Sequence, residues 1–250
     1  MGLYEGLLLL RRGIGSLPAA LYEHCKASIK LKTPVKKVVI ENGAVRGVET
    51  AEGFVAADHV ICATTASKAL GLMPDLPDGI RKPLETVKYS TTVHVMLALK
   101  KRMLPKGVYI MTMPRSAGSF MPALNDCSEK SPCVAPPGTG LSHCCTYGRR
   151  AREMQTLPDG KIVDMTIEEL GRFVPIRSED VLMTEVVRWD EAICLEAPGE
   201  FPAMYCLKRN HLRDVKGLHL AGEYMYLISC VEGALRSGED AAAAVLASRQ

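Results

Sequence analysis

The chain has 250 residues, of which 47% are apolar and 24% are charged, and its formal net charge is +3. These fractions are ordinary for a soluble globular protein and argue against a disordered or coiled-coil chain. The 31 Lys and Arg and the 28 Asp and Glu are spread along the chain, so no basic stripe predicts nucleic-acid binding. The apolar run at residues 7–10 is too short for a membrane span, which needs about 20 residues, or for a signal peptide.

The nine cysteines show no CxxC spacing, so we expect no disulfide framework, and a reducing cytoplasm is the simplest location. The cluster His143-Cys144-Cys145 raises the alternative of a soft-metal site. Adjacent cysteines in an extended segment point in divergent directions, and no second ligand pair lies at metal-site spacing. We therefore predict ordinary buried thiols and no metal site.

The first predicted element is a helix over residues 16–28, with Ser16 as its N-cap. Short strands are predicted next, at 29–31, 35–40, 44–50 and 60–62. The Asn42-Gly43 step between two β-branched runs is typical of a tight hairpin. From residue 67, three prolines mark a loop, and a helix is predicted over residues 78–87.

The middle of the chain predicts strands that alternate irregularly with helices. In the strand over residues 91–100, one face is apolar (Val93, Val95, Leu97 and Leu99) and the other carries His94, Met96 and Ala98. Further strands are predicted at 107–113, 141–147 and 181–189, a surface loop at 125–140, and an amphipathic helix at 159–174. This pattern favours an α/β fold with a mixed sheet and helices against it.

The last forty residues combine a strand, an acid and a helix start. A buried-strand pattern over residues 217–221 ends in Gly222-Glu223, and a helix with several small residues is predicted over 231–247. Open α/β sheets bind ligands at such strand ends, because free N–H groups at a helix start favour anions and a carboxylate accepts hydrogen bonds from hydroxyl groups. The alternative is that Gly233 and Gly238 only permit close packing and that Glu223 is a solvated turn acid.

Residues 217–223 and 230–242 resemble the C-terminal FAD-binding segment of the flavin amine oxidase superfamily, which includes protoporphyrinogen oxidases and phytoene desaturases. Three earlier segments, at 13–18, 33–38 and 57–63, resemble parts of the same family's FAD domain in the same order. The resemblance covers roughly residues 11–66 and 185–248. It implies an α/β fold in which a remnant of a three-layer FAD-binding domain contains an inserted mixed-sheet substrate domain.

The resemblance also implies roles for individual residues toward FAD. The backbone of Val35 would contact the adenine, and Ala63 with Thr64 would lie near the pyrophosphate. Gly222 and Glu223 would hold the ribityl-phosphate arm.

Three further positions concern the reactive end of the cofactor. The backbone N–H of Val231 would face flavin N1 and O2, where a helix dipole favours the negative charge of reduction by up to about 1–2 kcal/mol. Amine oxidases of the superfamily use a lysine near flavin N5 and an aromatic cage, whereas this sequence places His94 and Cys230 at those positions. The resemblance therefore implies a polyene or porphyrinogen-like substrate rather than an amine. His94 is the candidate catalytic acid or base, and the alternative is a buried, hydrogen-bonded histidine without a catalytic role.

No strand, Gly-x-Gly-x-x-Gly turn and helix unit occurs in the sequence, although family members begin with one that binds the pyrophosphate. The chain thus resembles the C-terminal half or so of a family member, and tight FAD binding by this chain alone is not expected. Three alternatives remain open: a truncated product, a subunit whose partner carries the glycine motif, or a binding protein that has lost the flavin.

The resulting prediction has three segments: residues 1–66 and 211–250 form the FAD-binding remnant, and residues 67–210 form the substrate domain. The expected reaction is hydride transfer from a hydrophobic small molecule to the flavin. The alternative is a non-catalytic binding or interaction subunit. Besides the substrate, the expected partners are a second subunit with the glycine motif or further copies of this chain.

Overall fold

The computed structural model describes residue 10 and residues 13–248. The strands in this part of the chain are β1 Val35–Glu41, β2 Ala44–Thr50, β3 Gly53–Ala56, β4 Val60–Cys62, β5 Lys88–Leu99, β6 Ile110–Thr112, β7 Ala123–Asp126, β8 Gly140–Tyr147, β9 Val181–Leu195 and β10 Leu218–Leu220. The α-helices are α1 Ser16–Cys25, α2 Ala66–Leu72, α3 Asp78–Thr86, α4 Cys127–Lys130, α5 Gly148–Met154, α6 Asp159–Gly171, α7 Glu200–Cys206 and α8 Val231–Ala247. The predicted α/β fold is confirmed.

The chain divides into two compact units. The five-stranded unit comprises the described residues up to Ile29 together with Thr91–Asp190. The parallel-pair unit comprises Lys30–Ser90 together with the described residues from Glu191 onward. These divisions differ from the predicted boundaries after residues 66 and 210, and the assignment of a cofactor domain and a substrate domain stays a prediction.

The parallel-pair unit contains two sheets. Strands β1, β2 and β3 form an antiparallel sheet in that order. The predicted hairpin joins β1 to β2, and Asn42 and Gly43 have φ values of 52° and 71°, as a two-residue turn of this type requires. Strand β4 pairs in parallel with β10. The N–H of Ala221 donates to the carbonyl of Cys62 at 3.0 Å, so the two strands end at the same edge.

The core of this unit lies around the parallel pair and the helices that follow β4. Its buried residues include Met73, Ile80, Leu84, Met204, Leu207, Leu218, Leu220 and Tyr224. Burial of each large apolar side chain contributes about 1.5–3 kcal/mol. On α8, Gly233, Ser237 and Ala241 recur every four residues and are buried, so the helix turns one narrow, small-residue face inward.

The five-stranded unit is built on one sheet with the order β6-β7-β8-β5-β9. The pairs β6–β7, β7–β8 and β5–β8 are antiparallel. The predicted alternation in β5 is confirmed, because Val93, Val95, Leu97 and Leu99 are at most 2% exposed. They pack with residues of α5 and α6, which include Ala151, Met154, Ile162 and Leu170.

Several local predictions were wrong. Residues 29–31 form no strand, since Ile29 and Leu31 are 40% and 64% exposed and three residues without a partner strand cannot form a ladder. Ser16 is the first residue of α1 and not its N-cap; the N-cap is Gly15, and the hydroxyl of Ser16 donates to the carbonyl of Gly13.

Other elements were missed because their sequence signals are weak. Strand β3 and helices α2 and α7 were not predicted, and the predicted loop at 125–140 contains the end of β7 and the short helix α4. Each of these missed elements is only four to seven residues long, too short for a hydrophobic period to repeat.

No helix among residues 13–248 is long and apolar enough to cross a membrane. Of the apolar run at residues 7–10, residues 7–9 lie outside the described part of the chain.

Candidate functional site

The carboxyl ends of β4 and β10 bring four of the predicted site residues to one edge of the parallel pair. Ala63 and Thr64 directly follow β4, and Gly222 and Glu223 follow β10 after one further residue. Because the strands are parallel and Cys62 lies opposite Leu220, both segments leave the sheet at the same level. The side chains of Ala63 and Thr64 are exposed there. The edge therefore presents backbone and small polar groups to a ligand.

Gly222 has a conformation that other residues rarely adopt. Its φ is 150°, and an added Cβ would lie 2.5 Å from the ring of Tyr224. Its N–H donates to the hydroxyl oxygen of Ser237 at 2.8 Å, and that hydroxyl donates to the carbonyl of Ala234 at 2.7 Å. Gly222 therefore links the end of β10 to the first turns of α8 and leaves no side chain of its own at the edge.

Glu223 is partly buried at this edge. Burial raises the pKa of its carboxyl group, and a hydrogen bond from the backbone N–H of Cys194 acts in the opposite direction. The carbonyl of Cys194 accepts a hydrogen bond from the hydroxyl of Ser229 at 2.7 Å. Glu223 is thus a partly desolvated acceptor held by neighbouring backbone, which differs from a freely solvated turn acid.

Helix α8 begins at Val231, after the loop that follows Glu223. Cys230, its N-cap residue, is extended and makes no side-chain hydrogen bond to the first turn, and Val231 is 45% exposed. Helix starts without a side-chain cap leave N–H groups that anions can satisfy. An added Cβ on Gly233 would lie 2.6 Å from the carbonyl oxygen of Ile228, so the loop approaches the helix closely at this glycine. Gly238 has no such neighbour within 4 Å.

Tyr224 is a buried residue near the edge that the sequence did not single out. Its side chain is 1% exposed, and in the described part of the chain its hydroxyl has no hydrogen-bond partner. Burial raises the pKa of this hydroxyl above its usual value, and the neighbouring Cys62 and Tyr89 act in the same direction. A buried hydroxyl without a partner costs about 1–3 kcal/mol. No periodicity or motif marks such a position.

Val35 lies elsewhere in the same unit. It begins β1 in the three-stranded sheet, opposite Thr50, and is 37% exposed. The structure therefore brings Ala63, Thr64, Gly222 and Glu223 to one edge, whereas Val35 belongs to a second sheet.

His94 belongs to the five-stranded unit, on the face of β5 opposite its apolar core. Its Nδ1 lies 2.6 Å from Nε2 of His143 on β8, and its Nε2 lies 3.0 Å from the hydroxyl oxygen of Thr92. Burial lowers the pKa of His94. Burial and then the neighbouring His94 lower the pKa of His143 to about 4, so both rings are neutral at pH 7.

The two adjacent cysteines of β8 point to opposite faces. Cys144 is 1% exposed within the apolar core, and the thiol of Cys145 donates to the hydroxyl oxygen of Tyr147 at 2.9 Å. Within the described ranges, no three or more His, Cys, Asp or Glu side chains converge as metal ligands.

Comparisons with known structures reveal the same fold in several oxidases and oxidoreductases. A candidate protoporphyrinogen oxidase from Exiguobacterium sp. 255-15 has a TM-score of 0.74 at 19% identity, over 90% of this chain and 50% of that one. Cyclohexylamine oxidase from Brevibacterium oxydans IH-35A has a TM-score of 0.75 at 15% identity, over 93% and 52%. An oxidoreductase from Methanosarcina mazei has a TM-score of 0.59 at 20% identity, over 84% and 49%. The chain spans about half the length of these proteins.

The sequence comparisons address the family directly. No curated protein sequence matches the chain. The sequence model of the flavin-containing amine oxidoreductases matches residues 1–246, which is nearly the whole chain. This chain therefore belongs to the flavin-containing amine oxidoreductase family.

Proposed function

We propose that this chain is part of an FAD-dependent oxidoreductase and that the common edge of β4 and β10 is its contribution to the cofactor site. The observation that carries the proposal is the meeting of Gly222, the partly desolvated Glu223 and the uncapped start of α8 at or next to this edge. The family match over residues 1–246 supports the choice of a flavin.

These residues fit one part of FAD. Gly222 lets the backbone approach a ligand closely, Glu223 offers an acceptor to hydroxyl groups, and the first N–H groups of α8 suit a site of negative charge. The exposed Ala63 and Thr64 leave room beside them. The sequence contains no Gly-x-Gly-x-x-Gly turn for the pyrophosphate, and Gly222, Glu223 and the start of α8 are assigned to the ribityl and flavin end of FAD.

In the proposed site, the bound flavin supplies an acceptor for hydride from a C–H or C–N bond. Gly222 and Glu223 would hold the ribityl-phosphate arm, the carboxylate accepting hydrogen bonds from its hydroxyl groups, and the N–H of Val231 would stabilise negative charge on the flavin ring. Ala63 and Thr64 would lie near the pyrophosphate, and the backbone of Val35 would contact the adenine. The protein thus contributes position and electrostatics.

The proposed substrate is a hydrophobic polyene or porphyrinogen-like molecule. One of the similar structures is a candidate protoporphyrinogen oxidase. Another is a cyclohexylamine oxidase, and an amine is the competing substrate class. The presence of His94 where the resemblance places the lysine of amine oxidases favours the first class.

A glycine-motif segment, on a second subunit or on a longer product of which this chain is a fragment, is part of the proposal, because this chain spans about half of the compared structures. A non-catalytic binding subunit is the second candidate function, and the sequence observation that favours it is the lack of the glycine motif. All nine cysteines are free thiols, which supports a proposed location in the reducing cytoplasm.

The visible absorption spectrum of the purified protein tests the proposal. We expect weak or no flavin bands for this chain alone and flavin at near-stoichiometric occupancy after co-purification with a chain that carries the glycine motif. If neither preparation takes up flavin, the FAD proposal is contradicted and the non-catalytic binding subunit is favoured.

Substitution of Glu223 tests the edge itself. We expect Glu223→Gln to keep the shape of the loop and weaken flavin retention in the complex about 10-fold or more, since a charge-assisted hydrogen bond contributes about 1.5–3 kcal/mol. The matched control is Glu239→Gln, which removes an exposed carboxylate from α8. Equal retention in both variants would remove Glu223 from the site.

A further inference from the structure

Two histidines from neighbouring strands meet on the non-core face of the five-stranded sheet. Met96 lies directly opposite His143 and His94 lies opposite Cys145 in the β5–β8 register, so the two imidazoles approach each other diagonally across the strand pair. Their ring centroids are 4.7 Å apart with planes inclined by 21°. This geometry brings Nδ1 of His94 to 2.6 Å from Nε2 of His143, which is within hydrogen-bond distance.

A third polar group fixes the other side of His94. Thr92 is fully buried, and its hydroxyl oxygen lies 3.0 Å from Nε2 of His94. The backbone carbonyl of Thr92 accepts a hydrogen bond from the side-chain amide of Gln155 at 3.5 Å. Thr92, His94 and His143 therefore form a continuous hydrogen-bonded row across the two strands.

Among the described residues, the polar groups on the neighbouring strands are engaged with one another. On β8, Cys145 and Tyr147 bond to each other, and burial raises the pKa values of both, so both stay neutral. On β7, Asn125 lies opposite His143 and donates its amide to the carbonyl of that residue at 3.4 Å. On β9, the guanidinium of Arg188 pairs with Asp159 at 2.6 Å. Burial lowers the pKa of His94, and burial followed by the neighbouring His94 lowers the pKa of His143.

We propose that His94 and His143 act as one acid–base unit, which takes up a single proton shared along the Nδ1–Nε2 hydrogen bond, with Thr92 fixing the orientation of His94. In the neutral pair, one ring donates its N–H to the bare nitrogen of the other. An arriving proton binds the remaining bare ring nitrogen, and the bridging proton can then move between Nδ1 and Nε2. No bond other than N–H forms or breaks, and the pair gains one positive charge.

A second proton is disfavoured because two adjacent imidazolium ions would repel each other in a partly buried site. The two rings therefore share one macroscopic titration rather than having two independent ones.

The neutral pair has a bare ring nitrogen that can accept a proton, and this property belongs to the five-stranded unit by itself. The experiment below is read on the protein without cofactor or substrate, so its outcome is independent of the FAD proposal.

The test is a ¹⁵N NMR titration of the histidine rings in the full chain. We expect a scalar coupling between ¹⁵N nuclei across the Nδ1–Nε2 hydrogen bond in the neutral protein. On acidification, the ¹⁵N shifts of both rings should move with one common midpoint, and each ring should show about half of the full protonation change. A free imidazole compound titrated under the same conditions supplies the full change.

Two variants separate the shared proton from a purely structural role. In His143→Leu, the coupling should vanish and His94 should titrate with its full amplitude. His143→Gln places an amide nitrogen or oxygen near the position of the lost Nε2, so the fold and the orientation of His94 should persist without a shared proton. Two separate midpoints with full amplitudes in the wild type would overturn the proposal. The proposal would also be overturned if the ¹⁵N shifts of the two rings never moved together over the whole pH range in which the protein is folded.

Discussion

The two units of this protein use polar atoms in different ways. In the five-stranded unit, polar side chains bond to one another, as in the row of Thr92, His94 and His143. At the edge of the parallel-pair unit, the candidate ligand-binding groups are the carboxylate of Glu223 and the first N–H groups of α8, which no side chain caps. The first arrangement is suited to holding protons, and the second is suited to receiving a ligand that carries its own hydroxyl groups and charge.

This difference indicates where each unit should be sensitive to substitution. Side-chain networks should lose most when one charged or polar partner is removed, because the remaining partner keeps its desolvation cost. The glycine-dependent edge should lose most when any side chain is added. The four predictions below test this difference between the two units, in order from the largest expected effect to the smallest.

Gly222→Ala should have the largest effect, a loss of about 3–4 kcal/mol in the free energy of unfolding, from backbone strain and from the clash with Tyr224. Gly118→Ala is the control, since that glycine also has a positive φ, of 66°, but has open space around it. Urea denaturation measures both. Equal losses would show that backbone strain alone, and not the close approach, constrains the edge.

Asp126→Asn should cost about 2–3 kcal/mol in the five-stranded unit. Asp126 is 1% exposed and accepts hydrogen bonds from Arg102 at 2.8 Å, Ser128 at 2.6 Å and the Glu129 N–H at 3.0 Å. Burial alone would raise the pKa of its carboxyl group, but these bonds hold the pKa below its usual value. Asp78→Asn, which removes an exposed partner of Lys82, should change stability little. Thermal unfolding that shifts equally in both variants would contradict this assignment.

Gly233→Ala and Gly238→Ala should have opposite signs. The first places a Cβ 2.6 Å from the carbonyl oxygen of Ile228 and should destabilise by about 1–2 kcal/mol, while the second has no neighbour and should stabilise α8 by up to about 1 kcal/mol. Hydrogen exchange of the α8 amides measures the local effect. Two stabilising substitutions would mean that the loop yields and that Gly233 is not required.

The smallest expected effect is a pH dependence from His143. The folded protein holds its pKa at about 4, below the value of about 6.5 for an unfolded histidine, so the unfolded state binds more protons between these values. The stabilisation is complete above pH 6.5 and is lost as the pH falls toward 4. Urea midpoints at pH 7.5 and 5 should therefore differ less in His143→Gln than in the wild type. The exposed His24→Gln variant should behave as the wild type.

Local patterns in the sequence predicted much of the fold. The period of two in β5, the Asn42-Gly43 hairpin and the bounds of α8 agree with the structure. In each case the signal is local, because neighbouring residues decide which face is buried or which turn is possible. The family resemblance, which depends on motifs of similar length, is confirmed by the match over residues 1–246.

The exposure of Trp189 and the isolation of Tyr224 could not be predicted in this way. Trp189 is 54% exposed on β9, and the hydroxyl of Tyr224 is buried without a partner in the described residues. Tryptophan and tyrosine are both expected in cores with their polar atoms hydrogen-bonded. The packing of segments far apart in the sequence determines that Trp189 is exposed and that the Tyr224 hydroxyl has no partner among the described residues.

The sequence by itself determined the strand and helix periods, the hairpin and the strand–acid–helix order at the end of the chain, because these depend on residues within a few positions of one another. Only the tertiary structure decided that Ala63 and Glu223 share an edge and that His94 meets His143. Both results need strand pairings between segments far apart in the sequence, β4 with β10 and β5 with β8. Such pairings arise from burial of the whole core, which no local pattern records.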